Sequence, residues 1–263
     1  MTADRSIGSL VALGSRSAVV EYGAGAVAKI PLDSTPDSWI RYESQYAAAA
    51  RACGAPVPSL LDVETLAGRT ISVWERVRGD SLWQLLIGNR IDPEACGEVL
   101  ASVHRQLLQL VAPVMLPLQA DRLTVKLRGL GQLGTAITPA MTRNGPIRLC
   151  HGDVHPGNIL MGKDGPSVID WFDACRGDAL GDIARTAALL DPDQDLAHLP
   201  GATRTEVARL LRRYLFCMGV DPEQTPAWAP WVTLNRVART GEAARSAGDA
   251  MSEAETETWI RSL

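Results

Sequence analysis

Residues 7–31 alternate apolar and small polar positions in short runs, broken by Gly14 and by Tyr22-Gly23-Ala24-Gly25. Successive side chains of a strand point to opposite faces, so this period of two between turn formers predicts three consecutive antiparallel strands. From Pro36 the period changes. Trp39, Tyr42, Tyr46 and an alanine run up to Cys53 follow helical spacing, and Gly54, Pro56 and Pro58 end it. Two further strands, at 59–63 and 70–77, complete a sheet that carries a single helix. Beyond Gly79 helical periodicity dominates, at 93–111, 123–133, 183–190, 203–216 and 227–239, while 148–150, 158–161 and 167–169 read as short strands. The expectation is an α+β chain in two parts: an antiparallel sheet with one helix over 1–77, and a mainly helical region over 78–263. No internal repeat interrupts this order.

With 46% hydrophobic residues in 263, the chain can bury a substantial core. Its 26 basic and 30 acidic residues, and a pI near 5.6, lack the positive field of a nucleic-acid binder and suit neutral or cationic partners better. Cys53, Cys96, Cys150, Cys175 and Cys217 form no C-x-x-C pair, which argues against a zinc site or a disulfide framework and for a reducing cytoplasm. No stretch approaches the length of an apolar membrane span, and the first ten residues lack an export signal's apolar core. A soluble monomer or homodimer is expected.

The densest polar cluster is His151-Gly152-Asp153-Val154-His155-Pro156-Gly157-Asn158, followed by Asp170-Trp171 behind the apolar run Val168-Ile169. Each of these residue types alone is ordinary turn punctuation. Phosphoryl transfer, however, needs a carboxylate near the attacking hydroxyl and oxygen ligands for the magnesium that neutralises a triphosphate. An Asp, an Asn five residues on and an Asp at a strand end supply that set. In the first part of the chain, Lys29 in Val27-Ala28-Lys29-Ile30 stands where a strand-borne lysine would pair the ATP phosphates, and Glu43 on the following helix is its natural partner.

This arrangement resembles the aminoglycoside phosphotransferase family, in which H-G-D-x-H-x-x-N precedes a strand ending in I-D-W, and the resemblance covers nearly the whole chain. It implies a bilobal protein-kinase-like fold with ATP, or GTP as the alternative, and Mg2+ as cofactors. It further implies that Asp153 positions and deprotonates an acceptor hydroxyl, that Asn158 and Asp170 hold the metal, and that His151 braces the loop. Ser15, Arg16 and Ser17 fall where the family keeps its nucleotide-positioning loop. The segment 73–79 resembles its hinge, with the Glu75 carbonyl and Val77 amide facing the base and Trp74 either behind the pocket or packed in the core. Asp182 is expected to open a helix and anchor the catalytic loop. Asp173 and Asp178 are candidates for the acceptor site, and His155 reads equally as a substrate contact or as a residue packing within its loop.

A protein kinase would carry a long activation segment after its metal-binding Asp, but only 12 residues separate Asp170 from Asp182. A small-molecule hydroxyl acceptor is therefore preferred. An aminoglycoside or another cationic antibiotic is the first expectation, and a metabolite such as choline, an amino sugar or homoserine is the second. A nucleotide-binding pseudokinase is the non-enzymatic alternative, though the lysine, the base and the metal ligands are all retained. Asp191, Asp193, Asp195, Glu253, Glu255 and Glu257 could attract a polycation, or could form an ordinary solvated face.

Overall fold

A computed structural model describes residues 6–127, 146–192, 196, 199–246 and 253–260. The first part is an antiparallel sheet of β1 (Ile7–Leu13), β2 (Ser17–Tyr22), β3 (Ala26–Pro31), β4 (Leu60–Leu66) and β5 (Arg69–Glu75), in the order β1-β2-β3-β5-β4. The crossover from β3 to β4 is α1 (Asp37–Ala52). The period of two does what the sequence requires: Ala18, Val20 and Tyr22 of β2 and Ala28 and Ile30 of β3 bury together with Ile71 and Val73 of β5. Lys29, between Ala28 and Ile30, is therefore turned to the opposite face. That face is where α1 brings Glu43.

The second part is mainly helical: α2 (Leu82–Ile87), α3 (Pro93–Gln109), α4 (Gln119–Lys126), α5 (Ala179–Leu189), α6 (Gly201–Met218), α7 (Trp228–Ser246) and α8 (Glu253–Ile260). Ser81 and Gln84 form a reciprocal capping box that starts α2, and Asp92 with Pro93 starts α3. Helices α3 and α6 pack closely because Gly97 has no side chain: a Cβ there would lie 2.6 Å from the Leu210 carbonyl oxygen. The larger core gathers Leu100, Leu107, Leu149, Trp171, Leu210 and Tyr214 and reaches Ala47 and Ala50 of α1, so the two parts share apolar packing. Among the described residues no helix is long and apolar enough to cross a membrane.

Two small antiparallel pairs carry the polar cluster. Strand β6 (Arg148–Cys150) pairs with β9 (Cys175–Gly177), and β7 (Ile159–Gly162) with β8 (Gly165–Val168). The architecture is the expected bilobal α+β fold, with differences of detail. Strand β9 and helix α2 were not anticipated, β8 begins two residues before the expected 167, and α4 begins at Gln119 and ends at Lys126 where 123–133 was expected. The remainder of that segment, from 128, lies outside the described residues, as do Asp193 and Asp195.

Candidate active site

Strand β6 delivers the chain to His151, and the loop that follows returns through a short 3-10 turn, Pro156–Asn158, into β7. Asp182, in the first turn of α5, fixes the entrance to this loop. Its Oδ2 accepts the His151 N–H and its Oδ1 the Gly152 N–H, both at 2.9 Å. The His104 ring donates through Nε2 to the same carboxylate at 3.1 Å and meets the Tyr214 hydroxyl at Nδ1, 2.7 Å away. Burial opposes ionisation of Asp182, yet His104, His151 and the Gly152 N–H together hold its carboxyl below the usual carboxylate range. The helix itself is capped by Asp178, whose carboxylate accepts the Leu180 N–H at 2.7 Å. Asp182 thus anchors the loop as expected, but from inside the helix.

His151 is fully buried, packs edge-on against Trp171 with ring centroids 4.6 Å apart, and donates from Nε2 to the Ile169 carbonyl at 3.1 Å. It ties the loop to the segment that carries Asp170 and does not line the cleft. Gly152 makes the next step possible. Its φ is +79°, and a Cβ there would lie 2.4 Å from the Asp173 carbonyl oxygen.

Asp153, beyond this turn, faces the cleft. Asn158 Nδ2 donates to its carbonyl at 2.9 Å and to Oδ2 at 3.2 Å, while His155 Nε2 and Arg185 Nη2 each stand 3.6 Å from the carboxylate. Burial opposes ionisation, but His155, Arg185 and Lys126 outweigh it and hold Asp153 well below the usual range. His155 also accepts the Gly157 N–H at Nδ1, 3.1 Å away. It therefore both closes its own turn and leans toward Asp153.

Asp170 adopts φ +64°, a left-handed conformation that Asp tolerates better than most residues. The kink leaves its side chain 45% exposed, with Oδ1 3.2 Å from Lys29 Nζ. Lys29 Nζ also donates to Glu43 Oε1 at 2.7 Å. Burial works to lower the Lys29 pKa, but Asp170 and Glu43 more than offset it and the net shift is upward. The ammonium is thereby held charged across the working pH range. Asn158 and Asp170 are neighbours across the β7–β8 hairpin, since the Asn158 carbonyl accepts the Ile169 N–H at 3.0 Å. With Asn158 Nδ2 committed to Asp153, its Oδ1 is left as an acceptor. Two hard oxygen ligands of this kind suit Mg2+, which keeps several waters or phosphate oxygens rather than a full protein cage. No cluster of three or more His, Cys, Asp or Glu side chains suited to a metal occurs among the described residues.

One cleft is lined by Gly14, Ser15, Arg16, Ser17, Lys29 and Glu43 on one side and by Asp153, Asp170, Asp173, Arg185 and Glu242 on the other. The loop before β2 is held over it by Arg16, whose guanidinium lies 4.2 Å from the Trp39 ring centroid; Trp39 in turn stacks on Phe172 at 4.0 Å. The cleft thus joins the lysine pair with the carboxylates of Asp170 and Asp153, and Asn158 is buried beside Asp153, an arrangement suited to phosphoryl transfer. A model of the phosphotransferase enzyme family matches residues 12–231. The chain belongs to that family.

Solved structures share the fold. A phosphotransferase APH(2") in complex with GDP and kanamycin superposes with a TM-score of 0.61 at 19% identity, over 99% of this chain and 92% of that one. An amicoumacin kinase in complex with AMP-PNP, Ca2+ and Ami gives 0.55 at 16%, over 99% and 87%. A choline/ethanolamine kinase family protein from Mesorhizobium loti gives 0.50 at 14%, over 89% and 94%. No curated protein matches the chain significantly in sequence. Family membership makes the protein a phosphotransferase with an alcohol group as acceptor, a small-molecule kinase.

Other residues take places apart from this centre. Glu75 accepts from the Ser59 hydroxyl at 2.7 Å, and Val77 packs against Gly162 at the junction of the two parts. Trp74 is half-buried against the larger core, its indole N–H donating to Ser72 at 2.8 Å. Asp173 reaches the cleft and meets Lys126 at 2.7 Å, whereas Asp178 is engaged at its helix start and does not line the cleft. Asp191 is buried and meets Arg236 at 2.8 Å, so it is no part of a solvated acidic face. Sequence reading missed Lys126, Arg185 and Glu242. Arg185 alone left a trace, three residues past Asp182 on the same apolar helix.

Proposed function

We propose that the protein uses ATP and Mg2+ to phosphorylate a hydroxyl of a small molecule, with Asp153 receiving that hydroxyl. The observation that carries this reading is the Lys29 ammonium, which bridges Glu43 and Asp170 in the cleft that Asp153 faces. Lys29 would orient the phosphates, and the loop at Ser15, Arg16 and Ser17 would cover them. Asn158 and Asp170 would hold the metal, which supplies neutralisation of the charge on the transferring phosphoryl group. Glu75 and Val77, at the junction, would meet the base through the backbone. Asp153, ionised and held by Asn158, would orient the hydroxyl and take its proton. Catalysis then comes mainly from alignment and charge neutralisation, with no phosphoenzyme.

Asp153→Asn keeps the size and most hydrogen bonding of the side chain but removes its charge. Its kcat in an ADP-release assay should fall about 100-fold or more while ATP affinity changes little. An unchanged kcat with only a raised acceptor KM would reduce Asp153 to a binding residue, and trapping of phosphate on Asp153 would replace the direct-transfer scheme.

A further inference from the structure

Among the described residues, the carboxylates on the acceptor side of the cleft are paired with cations. Glu242 of α7 meets Arg185 Nη2 at 2.8 Å, Lys126 Nζ at 2.8 Å and Arg239 Nη1 at 3.0 Å. Burial opposes its ionisation, but Arg185 and Lys126 bring the Glu242 carboxyl down to about 2. Asp173 meets Lys126 at 2.7 Å, and Asp153 faces Arg185 and His155. Each of the three carboxylates therefore already has a cationic neighbour. An ammonium group entering here would have to displace a lysine or an arginine to be paired, and would gain little by doing so.

The aromatic residues offer no alternative seat for a cation. Trp39 is engaged by Phe172 and by Arg16, and Phe172 by Trp39 and by Arg122, whose guanidinium lies 5.1 Å from its ring centroid. No open aromatic cage of the kind that receives a quaternary ammonium lines the cleft among the described residues.

What the site has in surplus is a donor. Arg185 is 4% exposed; it donates from Nε to the Gly152 carbonyl at 3.1 Å and from Nη2 to Glu242, but its buried Nη1 has no acceptor among the described residues. A buried guanidinium nitrogen left without an acceptor is unfavourable, and a planar carboxylate is the group whose geometry matches it.

Resting on the kinase reading above, we propose that the acceptor is a small alcohol bearing a carboxylate and no ammonium group, a hydroxy acid, and not a polycation. Its carboxylate is received at Arg185, with Arg239 beside it, and its hydroxyl is presented to Asp153. The hydroxyl oxygen forms a bond to the γ-phosphorus, the bond to the ADP oxygen breaks, and the hydroxyl proton passes to Asp153 and on to solvent. The products are ADP and a phosphate monoester.

The test measures ADP release by the purified chain with ATP and Mg2+ against hydroxy acids of three to six carbons. Each is matched with the same alcohol lacking the carboxylate, for example glycerate with glycerol, and kanamycin serves as the polycation. The expected result is a kcat/KM for a carboxylate-bearing member about 10-fold or more above its match, the scale of one charge-assisted pair. Glu242→Gln should lower the KM for that acceptor, since it removes an anion from beside the cations. Asp173→Asn is the second variant and should act in the same direction should Glu242→Gln fold poorly. Preference for kanamycin, with its KM raised in both variants, would overturn the proposal. So would ADP release no faster with any carboxylate acceptor than without one, in a protein that still binds ATP. Failure to bind ATP at all would instead remove the kinase reading, and this proposal with it.

Discussion

Lys29 on β3 and Glu43 on α1 meet at 2.7 Å on the face of the sheet that α1 covers, and the same ammonium reaches Asp170 of the second lobe at 3.2 Å. One side chain thereby couples the sheet, its helix and the Asp170 carboxylate. The contact exists because β3 turns Ala28 and Ile30 into the core and leaves Lys29 on the other face.

Replacing Lys29 with alanine leaves Glu43 buried without its cation; burial already pushes the Glu43 carboxyl up, and without the ammonium it would take a proton. Lys29→Ala is therefore expected to keep the fold but lose about 100-fold in kcat/KM for ATP, measured by ADP release. Asp170→Ala should abolish turnover at ordinary magnesium concentration. Near-normal activity in either variant would refute the assigned roles.

The catalytic loop should fail under acid before the rest of the site does. Burial lowers the His151 pKa below its ordinary 6.5 against the pull of Asp153, Asp182 and Asp170, and Asp182 lies below its ordinary 3.8. For both groups the unfolded chain binds more protons, so stability falls as pH falls. The His151 contribution is complete above about pH 6.5 and is lost below it; that of Asp182 is complete above about pH 4 and is lost below it. The Tm should drop between pH 7 and pH 5, and His151→Gln should flatten that slope. Asp182→Ala, which strips the acceptor from two backbone N–H groups and from His104, should cost about 3–5 kcal/mol in urea unfolding, the range for one partner removed from a buried charged pair.

Gly152 offers a purely steric test. Gly152→Ala combines a positive φ with a Cβ 2.4 Å from the Asp173 carbonyl oxygen, and backbone is the least compliant of neighbours. Strain of about 1–3 kcal/mol is expected, relieved by displacing the loop that carries Asp153. Turnover should then collapse while ATP binding, measured by calorimetry, persists. Wild-type kcat in this variant would mean that the loop geometry is not what positions Asp153.

The amino-acid sequence determined the parts of this protein whose information is local. Alternation over 7–31 placed three strands because side-chain direction in a strand has a period of two, and the helical spacing after Pro36 placed Glu43 on the helix that follows Lys29. The run from His151 to Asn158 was legible because its members sit within one loop, each within a few residues of the next. Tertiary structure alone decided the rest. Strand β9 is only three residues long and carries no period of its own; it is a strand because it pairs with β6. Asp182 was expected both to open its helix and to anchor the loop, but packing gives the helix N-terminus to Asp178 and leaves Asp182 to the loop. Lys126 and Glu242, on α4 and α7, face each other at 2.8 Å across a long chain separation, and nothing in either segment names the other. Charges so far apart in sequence are paired by the folding of the whole chain, which is why the loop could be read from a motif while the surroundings of the cleft could not.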